Sequence, residues 1–311
     1  MVIQMKRELR SSIENSEWID EQTKLEALNK LYHMFDVLGY QSWIKNDTQL
    51  EAYYFELSKL RSNQFLDAIV ELDKANALRE FRRLTEFESR ESMEVMPATD
   101  VNAYHYLRRN LIAIPAALLQ QPLYTHGLPS SLNFGAIGFV IGHELLHAFD
   151  EEGKQYNKYG NYKDWWTNVT SLIYGNKSSC FVEHYSRLTD PQSNLRIDAK
   201  LTKEENIADS LGLRIAFNSF RANIERNSYR NEFTLSALRD FTAEQLFFIA
   251  FAQLWCVNET MESKRTTITY GPHSPEYFRV IGSLSNSAHF AKAFRCSKHS
   301  RMNAERKCLL W

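Results

Sequence analysis

The chain has no hydrophobic run long enough to cross a membrane, no excess charge of either sign and few cysteines. Its longest mainly apolar stretches, Leu111–Leu119 and Phe247–Trp255, are about half of the roughly 20 residues a span requires. With 37 Lys and Arg against 38 Asp and Glu, nothing global draws it to nucleic acid or to an anionic membrane. Residues 1–25 are charged throughout and lack an apolar stretch, so no secretory leader is expected there. The cysteines, Cys180, Cys256, Cys296 and Cys308, show no C-x-x-C spacing, which argues against a cysteine-ligated zinc or a thioredoxin motif. On their own they allow three disulfide pairings or four reduced thiols. Internal repeats and low-complexity linkers are missing too. What remains is ordinary: 44% hydrophobic and 24% charged residues over 311 positions, enough for a sizeable core in one large or two smaller domains. Four N-x-S/T sequons, at Asn46, Asn168, Asn176 and Asn258, lean weakly toward a secreted context.

Apolar residues from Leu9 to Phe35 recur at helical spacing, which predicts helix over the first 40 residues up to Gly39, with Asp20 capping a second segment. Residues 48–61 and 64–86 read as amphipathic helices, and ESMEVMPATD (91–100) breaks the pattern. Val101–Leu107 and Leu111–Ile114, separated by Arg108-Arg109-Asn110, are rich in β-branched and aromatic residues and predict a β-hairpin. The stretch NFGAIGFVIGHELLHAFDEEG (133–153) predicts an almost wholly apolar, buried helix ended by Gly153. Further helices are expected over 163–186, 203–226 and 242–256, and two short ones over 274–294, the second capped by Asn286. The class is α+β, mainly α-helical, with one small sheet.

The chemistry concentrates at His143-Glu144-Leu145-Leu146-His147. Histidines at i and i+4 share one helix face, so both imidazoles can reach one tetrahedral zinc at about 2.0–2.1 Å. Glu144 adjoins the first histidine, where a carboxylate can take the proton of a water that zinc acidifies. A third protein ligand is needed. Glu151 is on the same face, but eight residues of helix span about 12 Å, which is out of reach. The metzincin pattern wants Gly at 150 and His at 153, where this chain has Asp150 and Gly153. The ligand must come from another segment, and Glu183, Glu204 and Glu205 are the candidates. Glu205 stands out because Asp209 follows at i+4 and could take a ligand histidine's other N–H. Such a pair ordinarily marks an exposed acidic face, but Ile207, Ala208, Leu211 and Leu213 indicate a buried helix, where unpaired carboxylates are costly.

HELLHAFD (143–150) followed by ENIAD (205–209) resembles the neprilysin and endothelin-converting-enzyme family of zinc metallopeptidases. VNAY (101–104), IPAALLQQP (114–122), NFGAIGFVIGHE (133–144), GPHSPEYFRVIGSLSNS (271–287) and MNAERKCLLW (302–311) follow in family order. The resemblance covers essentially the whole chain, but only the C-terminal part of a family member. It implies a zincin, thermolysin-like zinc metallopeptidase catalytic domain over 46–311, preceded by a helical segment over 1–45 that is a remnant of the family's second domain or a linker, and one zinc ion held by His143, His147 and Glu205. It makes Glu144 the general base, Asp209 the partner of a ligand histidine, and His273 the donor to the oxyanion. Asn102 and Ala103, on an edge strand, would bind substrate backbone, and Arg279 a substrate carbonyl or carboxylate. Leu118, Leu123, Phe139, Val140, Leu254 and Trp255 would form an apolar pocket for the residue after the cleaved bond. The partners implied are small extracellular peptides and the absent N-terminal half of a longer family member, with no membrane contact through this chain itself and an extracellular or cell-surface location. Cys180 would pair with Cys308, leaving Cys256 and Cys296 to partners upstream, and the chain is expected to be a fragment or a truncated product. His105 departs from the aromatic usual at its position. Loss of Glu144 or of a ligand would mark a non-catalytic binding scaffold instead, and neither is lost.

Overall fold

The computed structural model describes residues 1–55, 57, 63–85, 96–226 and 235–311. Its elements run α1 (Val2–Glu14), α2 (Glu21–Tyr32), β1 (Phe35–Gly39), α3 (Asp47–Tyr53), α4 (Phe65–Arg82), β2 (Tyr104–Tyr106), β3 (Leu111–Pro115), α5 (Ser130–Asn133) and α6 (Phe139–Leu146). They continue with α7 (Asn168–Ser186), α8 (Lys203–Arg226), α9 (Ala243–Gln253), α10 (Met261–Tyr270), α11 (Glu276–Asn286) and α12 (Ala288–Ala293). The fold is mainly helical with one small sheet, as its sequence implies. Positions 56, 58–62 and 86–95, which include parts of the two helices expected over 48–61 and 64–86, lie outside the described residues.

Met5, Leu9 and Ile13 repeat every four residues and are fully buried on one face of α1, which packs against α2, α6 and α8. Asp20 caps α2 as expected, its carboxylate accepting from the Thr23 N–H at 2.9 Å. The helical expectation fails at Phe35. Residues 35–39 form a strand, because β3 offers a parallel partner in the register Phe35↔Leu111 to Gly39↔Pro115. The predicted hairpin forms beside it, with Tyr104↔Ala113 and Tyr106↔Leu111 antiparallel and Asn110 left-handed (φ 47°) in the connection. The strand order β1-β3-β2 buries β3 completely and leaves β2 at an edge.

One hydrophobic core runs from α1 and α2 through α6, α7 and α8 to the last residues, Leu310 and Trp311. Helices α1 and α2 thus share this core with α6, α7 and α8. The helical rod from Ser130 contains a π-helical stretch at Phe134–Gly138 and continues as α6. It stops at Leu146 rather than at Gly153, which instead begins a 3₁₀ turn. A Cβ at Gly153 would lie 1.8 Å from the His147 carbonyl oxygen, so its glycine serves this fold-back. The helix expected from 163 begins only at Asn168, capped by Thr167. Helix α10 was not foreseen. The cap of α12 is Ser287, not Asn286; Asn286 instead clamps the Cys308 backbone, donating to its carbonyl at 3.0 Å and accepting from its N–H at 2.6 Å. Cys180 and Cys308 are disulfide-bonded, whereas Cys256 and Cys296 are free thiols. Among the described residues no helix is long and apolar enough to cross a membrane.

Helices α6 and α8 touch backbone to backbone. A Cβ on Gly142 would fall 2.5 Å from the Gly212 carbonyl oxygen, and one on Gly212 would fall 2.6 Å from the His143 nitrogen. Gly212→Ala should therefore lower stability by about 2 kcal/mol or more, the cost of overpacking exceeding alanine's helical advantage. Gly175→Ala on α7, where an added Cβ meets nothing within 4 Å, should be neutral or stabilising by up to about 1 kcal/mol. Urea denaturation of both variants checks the contrast, and equal shifts would contradict it.

Candidate metal centre

Helix α6 presents three polar groups from an otherwise apolar rod. His143 and His147 lie one turn apart with Nε2 atoms 3.0 Å from each other. Each imidazole is oriented by a carboxylate at its other nitrogen. Nδ1 of His143 meets Asp209 Oδ1 at 2.8 Å, and Nδ1 of His147 meets Asp150 Oδ2 at 2.7 Å. Glu144, also buried, lines the cavity between the helix and β2.

Helix α8 supplies the facing charges. Glu205 Oε2 lies 3.2 Å from His143 Nε2, and Glu205 Oε1 lies 3.7 Å from His147 Nε2. One turn on, the fully buried Asp209 is shared between His143 and Arg279, which donates through Nε at 2.7 Å and Nη2 at 2.6 Å. The other two candidate glutamates point elsewhere. Glu204 accepts from the Glu151 N–H at 2.9 Å and pairs with Lys203, and Glu183 pairs with Arg306 on the surface. Glu151, excluded on reach, pairs with Lys154 and Lys203.

This geometry carries its own test for a cation. Carboxylates at both Nδ1 atoms call for hydrogens there, which turns both Nε2 lone pairs toward one point. Glu205 Oε2 faces the same point. It is buried and, among the described residues, has no aligned hydrogen-bond donor, although the His143 and His273 Nε2 atoms each lie 3.2 Å away. With both imidazoles neutral, as binding a cation requires, three acceptors converge with no donor between them. Tetrahedral zinc with ligands at about 2.0–2.1 Å sets them about 3.4 Å apart, within the observed 3.0–3.7 Å. Imidazole and carboxylate donors suit zinc. Among the described residues His143, His147 and Glu205 are the group whose donor atoms all lie within 4.8 Å of one another.

The titration behaviour reflects the same concentration of negative charge. Burial opposes charge on His143, but the bonds to Asp209 and Glu205 outweigh it and push the imidazole up to about 10. Burial would raise Glu205, yet the facing imidazoles of His143 and His273 hold its carboxyl far below the usual carboxylate range. Glu144 moves the other way. Its burial raises the pKa against the pull of both ligand-type histidines, which favours a group able to take and return a proton.

A cavity of about 450 Å³ opens over these groups. Its walls include Asn102, Ala103, Leu118, Phe139, Val140, Trp255, His273 and Arg279, so most residues named from the sequence meet there. Asn102 and Ala103 immediately precede β2 rather than lying within it. Leu123 and Leu254 do not line this cavity. Leu123 packs against the core, and Leu254 borders a neighbouring cavity with Pro122 and Leu132. His273 is half-exposed, and the Arg279 guanidinium stacks on Trp255 at 3.9 Å from the ring centroid. In the sequence Asp150 stands out only as a departure from the metzincin pattern. The available signal was that the second histidine, like the first, needs a carboxylate for its outer nitrogen, and Asp150 stands three residues on.

Residues 102–310 match Peptidase family M13. Neprilysin-1 of Caenorhabditis elegans is 37% identical over 311 residues, and human endothelin-converting enzyme 1 is 35% identical over 319. Both alignments cover 100% of this chain but only 41% and 40% of those relatives, so the chain spans about two-fifths of their length. A structure titled Haemonchus galactose containing glycoprotein complex superposes with a TM-score of 0.87 at 27% identity, covering 100% of this chain and 48% of that one. A Mycobacterium tuberculosis zinc metalloprotease solved with an inhibitor superposes with a TM-score of 0.81 at 26% identity, covering 100% and 46%. With sequence, zincin-type fold and the His-His-Glu constellation in agreement, the chain belongs to peptidase family M13, the family of the neprilysins and endothelin-converting enzymes.

Proposed function

We propose that the chain is the catalytic portion of a zinc-dependent endopeptidase that hydrolyses small extracellular peptides. The observation that carries this reading is the convergence of three ligand atoms, from His143, His147 and Glu205, beside the buried carboxyl of Glu144 in an open cavity. These three side chains would hold one zinc ion, which supplies Lewis acidity toward a peptide carbonyl and toward water. Glu144 takes a proton from water and returns it to the leaving amine; its raised pKa suits both steps. His273, half-exposed at the cavity wall, donates to the oxyanion. Asp209 and Asp150 keep the two imidazoles turned toward the ion. Asn102 and Ala103 bind substrate main chain beside the free edge of the sheet, and Arg279 binds a substrate carbonyl. Leu118, Phe139, Val140 and Trp255 favour a large hydrophobic residue after the cleaved bond.

An extracellular or cell-surface setting is supported by the Cys180–Cys308 disulfide and by the names of the relatives.

Glu144→Gln should leave zinc binding within about twofold and abolish peptide cleavage, losing at least about 10³-fold in kcat; parental turnover would contradict the assigned base. Glu205→Ala should weaken zinc at least about 100-fold while Glu204→Ala leaves it unchanged, read by competition with a chromophoric chelator. Zinc must also displace the proton that His143 holds below about pH 10, so apparent affinity should rise with pH through the neutral range. A weakly buffered solution at pH 8 should acidify on zinc addition, and unchanged pH would count against His143 as a ligand.

A further inference from the structure

Lys30, in the last turn of α2, is a buried cation that the proposed chemistry does not use. It is 1% exposed and has no carboxylate in contact among the described residues. Its ammonium donates instead to three backbone carbonyls, those of Ala148 at 2.8 Å, Gly153 at 2.6 Å and Tyr156 at 2.7 Å. Three acceptors for one nitrogen require all three N–H groups of the charged form. Burial works against that charge and pushes the pKa down to about 7, with Asp150 pulling the other way. A side chain kept only to fill space would be apolar, because a buried ammonium is costly.

The three carbonyls share one location. They lie on the stretch where the chain leaves α6 and turns back, held by one 3₁₀ turn. Asp150 sits inside this stretch. Its Oδ2 faces His147 Nδ1, while its Oδ1 accepts from the N–H groups of Glu152 at 3.1 Å and Gly153 at 2.7 Å. Gly153 is therefore tied twice, through its N–H to Asp150 and through its carbonyl to Lys30. Asn110 steadies the same contact from outside, donating to the carbonyls of Lys30 at 2.9 Å and Lys158 at 3.1 Å.

We propose that Lys30 is a positioning residue of the metal centre: by gathering the carbonyls of Ala148, Gly153 and Tyr156 it fixes the turn that presents Asp150 to His147. This rests on the reading that His147 is a metal ligand. Lys30 touches neither ion nor substrate, and it acts on affinity through Asp150.

The test uses the whole 311-residue chain and zinc alone, with dissociation constants measured by competition against a chromophoric chelator. Lys30→Met should weaken zinc about tenfold, at the low end of the effect of residues that orient ligands. Leu31→Ala, which removes a buried neighbour on the same helix, should lower the melting temperature but leave zinc affinity within about twofold. If Lys30 works through Asp150, the double variant Lys30→Met/Asp150→Ala should bind no more weakly than Asp150→Ala alone. Should Lys30→Met not fold, Lys30→Gln, too short to reach all three carbonyls, takes its place with the same expected loss. Parental affinity in a folded Lys30 variant, or losses that simply add in the double variant, overturns the proposal while leaving the ligand assignment standing. An unaltered chain that takes up no zinc overturns both.

Discussion

The backbone contact between α6 and α8 at Gly142 and Gly212 brings the histidines of one helix against the carboxylates of the other. Ordinary helix pairs stand about 8–10 Å apart with side chains between them. Here glycine on both sides removes that layer, and each helix brings a polar pair spaced one turn apart. The two pairs mesh in register. Glu205 meets the Nε2 side of the imidazoles, and Asp209 meets the outer nitrogen of His143. A single carboxylate on a more distant helix could do one of these things, but not both.

The two imidazoles are nevertheless held by different means. His143 is oriented across the helix interface by Asp209, a residue 66 positions away. His147 is oriented locally by Asp150, three positions away. The first arrangement depends on the packing of two long helices. The second depends on a short stretch with a single 3₁₀ turn, tied from α2 by the Lys30 ammonium, whose own backbone carbonyl accepts from the Asn110 amide. The candidate site thus joins residues from α6 and α8 and the loop after α6, and α2 reaches that loop through Lys30.

Much of this was legible in the sequence where the signal is local and periodic. The histidine pair, the acidic pair on α8, the hairpin and the Asp20 cap all follow from spacing. What escaped was non-local. Phe35 continues a helical apolar repeat, and only the distant β3 makes it a strand. The end of α6 was placed at Gly153 because glycine commonly stops helices; in fact the chain turns at His147, and Gly153 is needed for close passage over that residue's carbonyl. Lys30 resembles any lysine of an amphipathic helix, and its three acceptors lie more than a hundred residues away. Leu123 and Leu254 resemble their apolar neighbours, and only folding directs them away from the cavity over the metal centre.

Arg279 offers a last consequence. Two of its five N–H groups are committed to Asp209, and its plane rests on Trp255. An unrestrained arginine gives up about 2 kcal/mol of rotamer freedom when it is immobilised. Here that freedom is already surrendered during folding, and among the described residues the other three N–H groups of the fork have no hydrogen-bond acceptor. With Arg279 binding substrate as proposed, recognition at this wall would cost little entropy, and a mispositioned carbonyl would find no side chain free to move toward it.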